Sequence, residues 1–162
     1  MVAIREDLIR WLLLVLMAFF ILQGLYMLYR TPILVEYHVY STIGLWWFYP
    51  ILQLAAIATQ GLAAYSLWQG EYRWHFLFAA LIIPLAQTLI AIVIAMAVVD
   101  FHDLAHRLNA AMVEYGYRLP REATPTLPTF TMPRLLRATG LAIVLILLYR
   151  YRKQTAQERT AG

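Results

Sequence analysis

The chain contains no cysteine. That excludes a disulfide framework, thiol catalysis and thiolate metal sites, including the dithiol relays by which some membrane oxidoreductases hand electrons to quinones. Charge is nearly as scarce. Asp, Glu, Lys and Arg together make up 14% of the 162 residues, against about 25% in a typical soluble domain. Three stretches, 11–29, 39–70 and 74–99, hold none of these four residue types. Pumps, proton relays and voltage sensors place a charge at mid-membrane, so the vacancy of these stretches argues against such functions. Also missing are a Gly-rich phosphate loop, a G-x-S-x-G elbow, an H-E-x-x-H pair, a cluster of loop carboxylates and an internal repeat.

What remains is apolar. Hydrophobic residues form 62% of the chain and the mean hydropathy is +0.64, more apolar surface than a soluble fold of this size can hide. The shortest uncharged stretch covers about 28 Å as a helix, enough to cross a bilayer. The expected fold is all-α: a polytopic integral membrane protein of one membrane domain over 1–162, with four transmembrane helices and an amphipathic helical extension after the third. The first span is expected over 8–29. Its apolar core is longer than a signal-peptide h-region, and no A-x-A pattern follows it, so it reads as a retained helix. Trp11, Tyr26 and Tyr29 mark its interfaces.

Pro50, preceded by Trp46, Trp47 and Tyr49, suits the first turn of a second span over 50–68. Before it, Val35, Tyr37 and Val39 alternate with Glu36 and His38, a period-two pattern that predicts an extended interfacial segment; the competing reading is one helix over 41–69 kinked at Pro50. Four residues, 69–72, leave room only for a tight hairpin into a third span over 74–99. Beyond it Phe101, Leu104, Leu108, Ala111, Met112 and Tyr115 recur every three to four positions while Asp103, Arg107, Glu114 and Arg118 take the other face. This predicts an amphipathic helix over about 100–117, continuous with the third span or lying along the interface. Prolines 120, 125, 128 and 133 among threonines predict an extended connector over about 119–133. The fourth span, 134–150, has only 138–149 uncharged, about 18 Å of helix, so Arg134 and Arg137 are expected to snorkel outward.

Four crossings put both termini on one side. Arg150, Arg152 and Lys153 follow the last span, and the positive-inside rule then favours cytoplasmic ends in a bacterial inner membrane, with seven Lys and Arg inside against six outside. The net charge of +4 includes no aromatic-flanked basic groove, so nucleic acid is not an expected partner. The layout is similar to that of the small membrane subunit of tripartite periplasmic transporters; the likeness lies in span number and length and carries no residue across.

The polar groups within the spans are amides and hydroxyls. Gln53 and Gln60 share a face of the second span with alanines, and Gln87, Ala91 and Ala95 share one on the third, which points to close helix packing with amide hydrogen bonds across the contact. The alternative is a polar pocket for a neutral substrate or a quinone head group. The one concentrated set of metal-ligand types is Asp100, His102, Asp103 and His106, with His102 and His106 four apart on one helical face and Glu36 and His38 on the same side of the membrane. Asp and His are also ordinary residues where a helix leaves a membrane. A bis-histidine haem on His75 and His102 is excluded, since they lie about 40 Å apart along a helix; no cofactor is identified. The expected function is that of a non-catalytic accessory or assembly subunit of a larger membrane complex, whose partners are the lipid bilayer and other membrane subunits or further copies of itself. The alternatives are a small membrane component of a solute transporter and a metal-binding membrane protein.

Overall fold

The computed structural model describes residues 2–117 and 124–161, with side chains described over 7–117 and 124–157. Six α-helices account for most of it: α1 (Val2–Tyr29), α2 (Val35–Ser41), α3 (Phe48–Trp68), α4 (Trp74–Ala97), α5 (Phe101–Glu114) and α6 (Leu127–Ala161). Four of them, α1, α3, α4 and α6, are long and apolar enough to cross a membrane, over Asp7–Tyr29, Phe48–Trp68, Trp74–Ala97 and Leu127–Gln157. There is no strand among the described residues. The chain is an all-α integral membrane protein.

Neither reading of the segment before the second span is realised. The structure forms a short helix, α2, then a turn, then α3 two residues before Pro50. The reason is Gly44, whose φ of 76° is left-handed. It allows the Leu45 amide to donate to the Tyr40 carbonyl at 3.1 Å and the Gly44 amide to the Ser41 carbonyl at 3.1 Å, the paired bonds that close a helix C-terminus. Gly70 repeats the device in the α3–α4 hairpin, with φ 78° and the Glu71 amide on the Ser66 carbonyl at 2.9 Å. The α1 end is stopped differently: Thr31 Oγ1 donates to the Leu28 carbonyl at 2.8 Å, and Pro32 cannot continue the helix.

The expected connector is corrected in part. Its residues 119–123 lie outside the described ones, but 127–133 are helical and belong to α6. Thr126 and Thr129 cap each other: the Thr126 amide donates to Thr129 Oγ1 at 2.8 Å and the Thr129 amide to Thr126 Oγ1 at 3.4 Å, a reciprocal arrangement that satisfies two orphan amides. Pro128 then falls in the first helical turn, where a missing N–H costs nothing. The fourth span is therefore much longer than 134–150. At 35 residues α6 runs about 52 Å, well beyond the hydrocarbon core.

The amphipathic helix α5 is not a continuation of α4. Asp100 separates them and caps α5, its Oδ1 accepting from the His102 amide at 2.9 Å. The apolar stripe of α5 is spent inside the chain: Leu104 and Leu108 are buried as α5 packs on α2 and on the 3-10 turn Thr31–Ile33. Its outward face carries His102, Asp103, His106 and Glu114.

The spanning helices pack in the order α1, α3, α4, α6, each along the next, while α1 and α6 do not pack along each other. Two cores result. One, at the α3–α4 hairpin end, joins Leu13 and Met17 of α1, Ala63 and Leu67 of α3, Leu77, Ala80 and Leu81 of α4, and Leu141 and Leu148 of α6. Tyr72, Trp74 and Tyr151 cluster there with ring centroids 5.5 to 6.0 Å apart and fix the far end of α6. The other core, at the α2–α5 end, joins Val39, Tyr40, Tyr49, Ala91, Ile94, Ala95, Leu104 and Phe130, and contains no residue of α1.

Candidate functional site: a cavity between two cores

On α3 the residues between the two cores are 50–62, on α6 131–140, and on α4 82–90. A cavity of about 270 Å³ opens at this level, lined by Phe20, Gln23, Gly24 and Met27 of α1, Gln53, Ala56 and Gln60 of α3, Pro84 of α4, and Arg137, Gly140, Leu141 and Val144 of α6. The α6 contribution follows helical periodicity, since 137, 140, 141 and 144 fall on one face. Gly24 makes room on the α1 side; a Cβ there would stand 2.8 Å from Ile57 Cγ1 and 3.0 Å from Gln53 Nε2. Gly140 is the opposite case, with open space where its Cβ would be.

Pro84 explains one polar contact. Its ring nitrogen has no hydrogen to donate to the Ala80 carbonyl one turn earlier, and in hydrocarbon an orphan carbonyl must find another donor. Gln60 reaches across from α3 and supplies it, Nε2 to the Ala80 oxygen at 3.4 Å. The cost falls on the other half of the amide: Gln60 is 4% exposed, lines the cavity, and its Oε1 has no hydrogen-bond partner. An unsatisfied buried acceptor of this kind costs about 1 to 3 kcal/mol.

The charges at the site are unevenly matched. Arg134 and Glu36 form an ion pair at 2.7 Å with side chains only 15% and 21% exposed. The Arg134 guanidinium also lies 3.6 Å from the Phe130 ring centroid and donates through Nη1 to the Phe130 carbonyl at 2.6 Å. Arg134 thus turns inward, contrary to the expected snorkelling: a carboxylate and an aromatic face are available within the bundle. A narrow recess lined by Glu36, Tyr49, Gln53, Gln87, Thr88, Ala91, Arg134 and Arg137 adjoins this pair. Arg137 lines both spaces, and no acid is among the residues lining the larger cavity.

The five expected packing residues, Gln53, Gln60, Gln87, Ala91 and Ala95, are all buried. Gln53 and Gln60 serve the cavity; Gln87 offers its backbone carbonyl to the Tyr40 hydroxyl at 2.8 Å, tying α2 to α4. Ala91 and Ala95 belong to the α2–α5 core. Burial raises the pKa of Tyr40, with the nearby Glu36 charge acting in the same sense, so the phenol stays a donor.

The expected metal ligands are differently disposed. The His102 and His106 rings are adjacent, centroids 4.6 Å apart, on the exposed face of α5. Asp100 is occupied as the α5 cap and Asp103 pairs with Arg107 at 2.8 Å. Glu36 is bound to Arg134, and His38 is held by the Pro32 carbonyl through Nε2 at 2.9 Å. Among the described residues no three His, Asp or Glu side chains gather in a way that could hold an ion. Burial lowers the His38 pKa, the Pro32 carbonyl opposing and the Arg107 charge reinforcing that shift.

Sequence reasoning missed Arg137, Gly24 and Gly140 as cavity residues. The signal was the spacing of Arg137, Gly140, Leu141 and Val144, but a span bounded by arginines reads first as a short membrane helix. The fold and site define a polytopic α-helical membrane protein with a lined cavity within its spanning helices. No family model, no curated protein and no solved structure matches the chain.

Proposed function

We propose that this protein is a non-catalytic accessory or assembly subunit of a larger membrane complex. The observation that carries the reading is the open side of the helix array. α1 packs along α3 and α6 along α4, but α1 and α6 share only the core at the hairpin end and the cavity wall and do not run packed against each other. Large apolar side chains such as Leu22 on α1 and Leu136 on α6 are exposed on these two outer helices. A transmembrane segment of another subunit, or of a second copy, would complete the array by close packing without any need for a soluble interface. Membrane placement follows the positive-inside rule: Arg10, Arg73, Arg150, Arg152 and Lys153 sit toward the α3–α4 hairpin end, which we assign to the cytoplasm of a bacterial inner membrane together with both termini.

Blue-native electrophoresis after mild solubilisation tests the subunit role. The chain is expected to migrate in an assembly larger than itself; migration as a lone monomer in every mild detergent contradicts it. A second reading, a small component of a solute transporter, is favoured by the cavity itself, and uptake that depends on this chain would distinguish it.

A further inference from the structure

We infer that the cavity between α1 and α6 is a binding site for an acidic amphiphile, whose carboxylate or phosphate head is held by Arg137 and whose apolar part lies against Phe20, Leu141 and Val144. The inference goes beyond the subunit reading, because every lining group belongs to this chain and the site is present with or without a partner.

Three observations converge on it. First, charge: Arg137 is a permanent cation whose neighbour Glu36 is already committed to Arg134 at 2.7 Å, and no acid lines the cavity. Arg137 stands exposed at the edge of the cavity, and the planar fork of its guanidinium suits carboxylate and phosphate oxygens. Second, polarity: Gln60 lines the cavity and its Oε1 is buried without a partner, an acceptor that an O–H or a water in the cavity satisfies once the amide turns toward it. Gln53 adds an amide at the cavity wall, its Nε2 held close to Gly24 where the two helices approach. Third, shape: the lining runs from Arg137 to Val144 along two turns of α6, with the cation nearer the start of α6 and the apolar residues deeper. A membrane amphiphile enters a bilayer protein in that same orientation, head toward the interface and chain toward the middle. Arg137 and Gly140 are exposed on this side of α6, which makes the cavity reachable from the lipid.

The test uses the full chain in nanodiscs of phosphatidylcholine. Oleate, phosphatidylglycerol and inorganic phosphate are the probes, read by native mass spectrometry and by thermal unfolding. One equivalent of oleate or of phosphatidylglycerol is expected to be retained, and the preferred one identifies the head as carboxylate or phosphate. Arg137→Gln is expected to weaken that binding at least tenfold, while Arg150→Gln, outside the cavity, leaves it unchanged. Gly140→Leu fills open space and is expected to abolish retention while the protein stays folded, with an unfolding midpoint at or above that of the wild type. Retention that is indifferent to Arg137→Gln and Gly140→Leu overturns the inference. So does retention of neither amphiphile, or binding of inorganic phosphate alone.

Discussion

Glu36→Gln removes the acid that joins α2 to α6, and the structure allows its cost to be worked out. The pair is short, 2.7 Å, and both side chains are largely shielded, at 15% and 21% exposure, though not fully desolvated. Hydrogen bonds to charged groups contribute about 1.5 to 3 kcal/mol, and stripping one partner from a fully buried pair costs about 3 to 5. Partial exposure places this pair between those limits, so a loss of about 2 to 3 kcal/mol is expected for Glu36→Gln. The mutation leaves Arg134 its contact with the Phe130 ring and carbonyl, and so isolates the charge pair. The assay is reversible unfolding in bicelles, run on Glu36→Gln, Arg134→Gln and the double variant. A coupling energy of about 2 kcal/mol is expected, weakly dependent on salt because the pair is shielded. A coupling below about 0.5 kcal/mol, the level of an exposed pair, would refute the claim that this contact fastens the α2–α5 end to the fourth span.

Further outcomes follow from the same geometry. Gly24→Leu drives a side chain into Ile57 and Gln53 and is expected to part α1 from α3 at a cost of about 1 to 3 kcal/mol, whereas Gly140→Ala meets nothing and is expected to gain about 0.5 to 1 kcal/mol from helix propensity; both are read by thermal unfolding in one detergent. Gln60→Leu is expected to cost about 1 kcal/mol, and that cost should shrink in a Pro84→Ala background, where the backbone itself supplies the donor for Ala80; equal costs in both backgrounds would contradict the pairing. His38 is held neutral, its pKa depressed from an unfolded value of about 6.5. Its contribution is therefore fully present above pH of about 6.5 and is lost as the pH falls from there toward the folded value, because only the unfolded chain takes up the proton. The unfolding midpoint should fall over that window in the wild type and fall less in His38→Gln.

The first three spans were legible because each lies in an uncharged run about as long as the hydrocarbon core or longer, a signal that leaves little choice of structure, whereas the fourth has only a short uncharged run and its extent was misjudged. The hairpin at Gly70 was equally plain, since four residues cannot do anything else. What escaped was set by single residues with local geometry. Gly44 ends α2 through a left-handed turn, and nothing in the alternation of Val35, Tyr37 and Val39 announces it. The Thr126–Thr129 cap turns a proline-rich stretch that reads as extended into the first turns of α6. At the site, the amide faces of the second and third spans were readable from spacing, and Gln53, Gln60 and Gln87 are buried where that spacing put them. Arg134 and Arg137 were not, because whether an arginine at a span boundary points to water or inward depends on an acid and a ring, Glu36 and Phe130, that only the tertiary fold brings near the first of them.

Topology tests the central claim most directly, and the absence of native cysteine makes it clean to measure. Single cysteines at Gln69→Cys in the hairpin, Val113→Cys on α5 and Leu147→Cys on the outward face of α6 would be challenged with a membrane-impermeant maleimide in oriented vesicles. All three positions are exposed in the protein, so only a bilayer can distinguish them. Gln69→Cys and Val113→Cys are expected to label from opposite sides, and Leu147→Cys from neither. Labelling of Leu147→Cys as readily as the other two, or of Gln69→Cys and Val113→Cys from the same side, would contradict that claim.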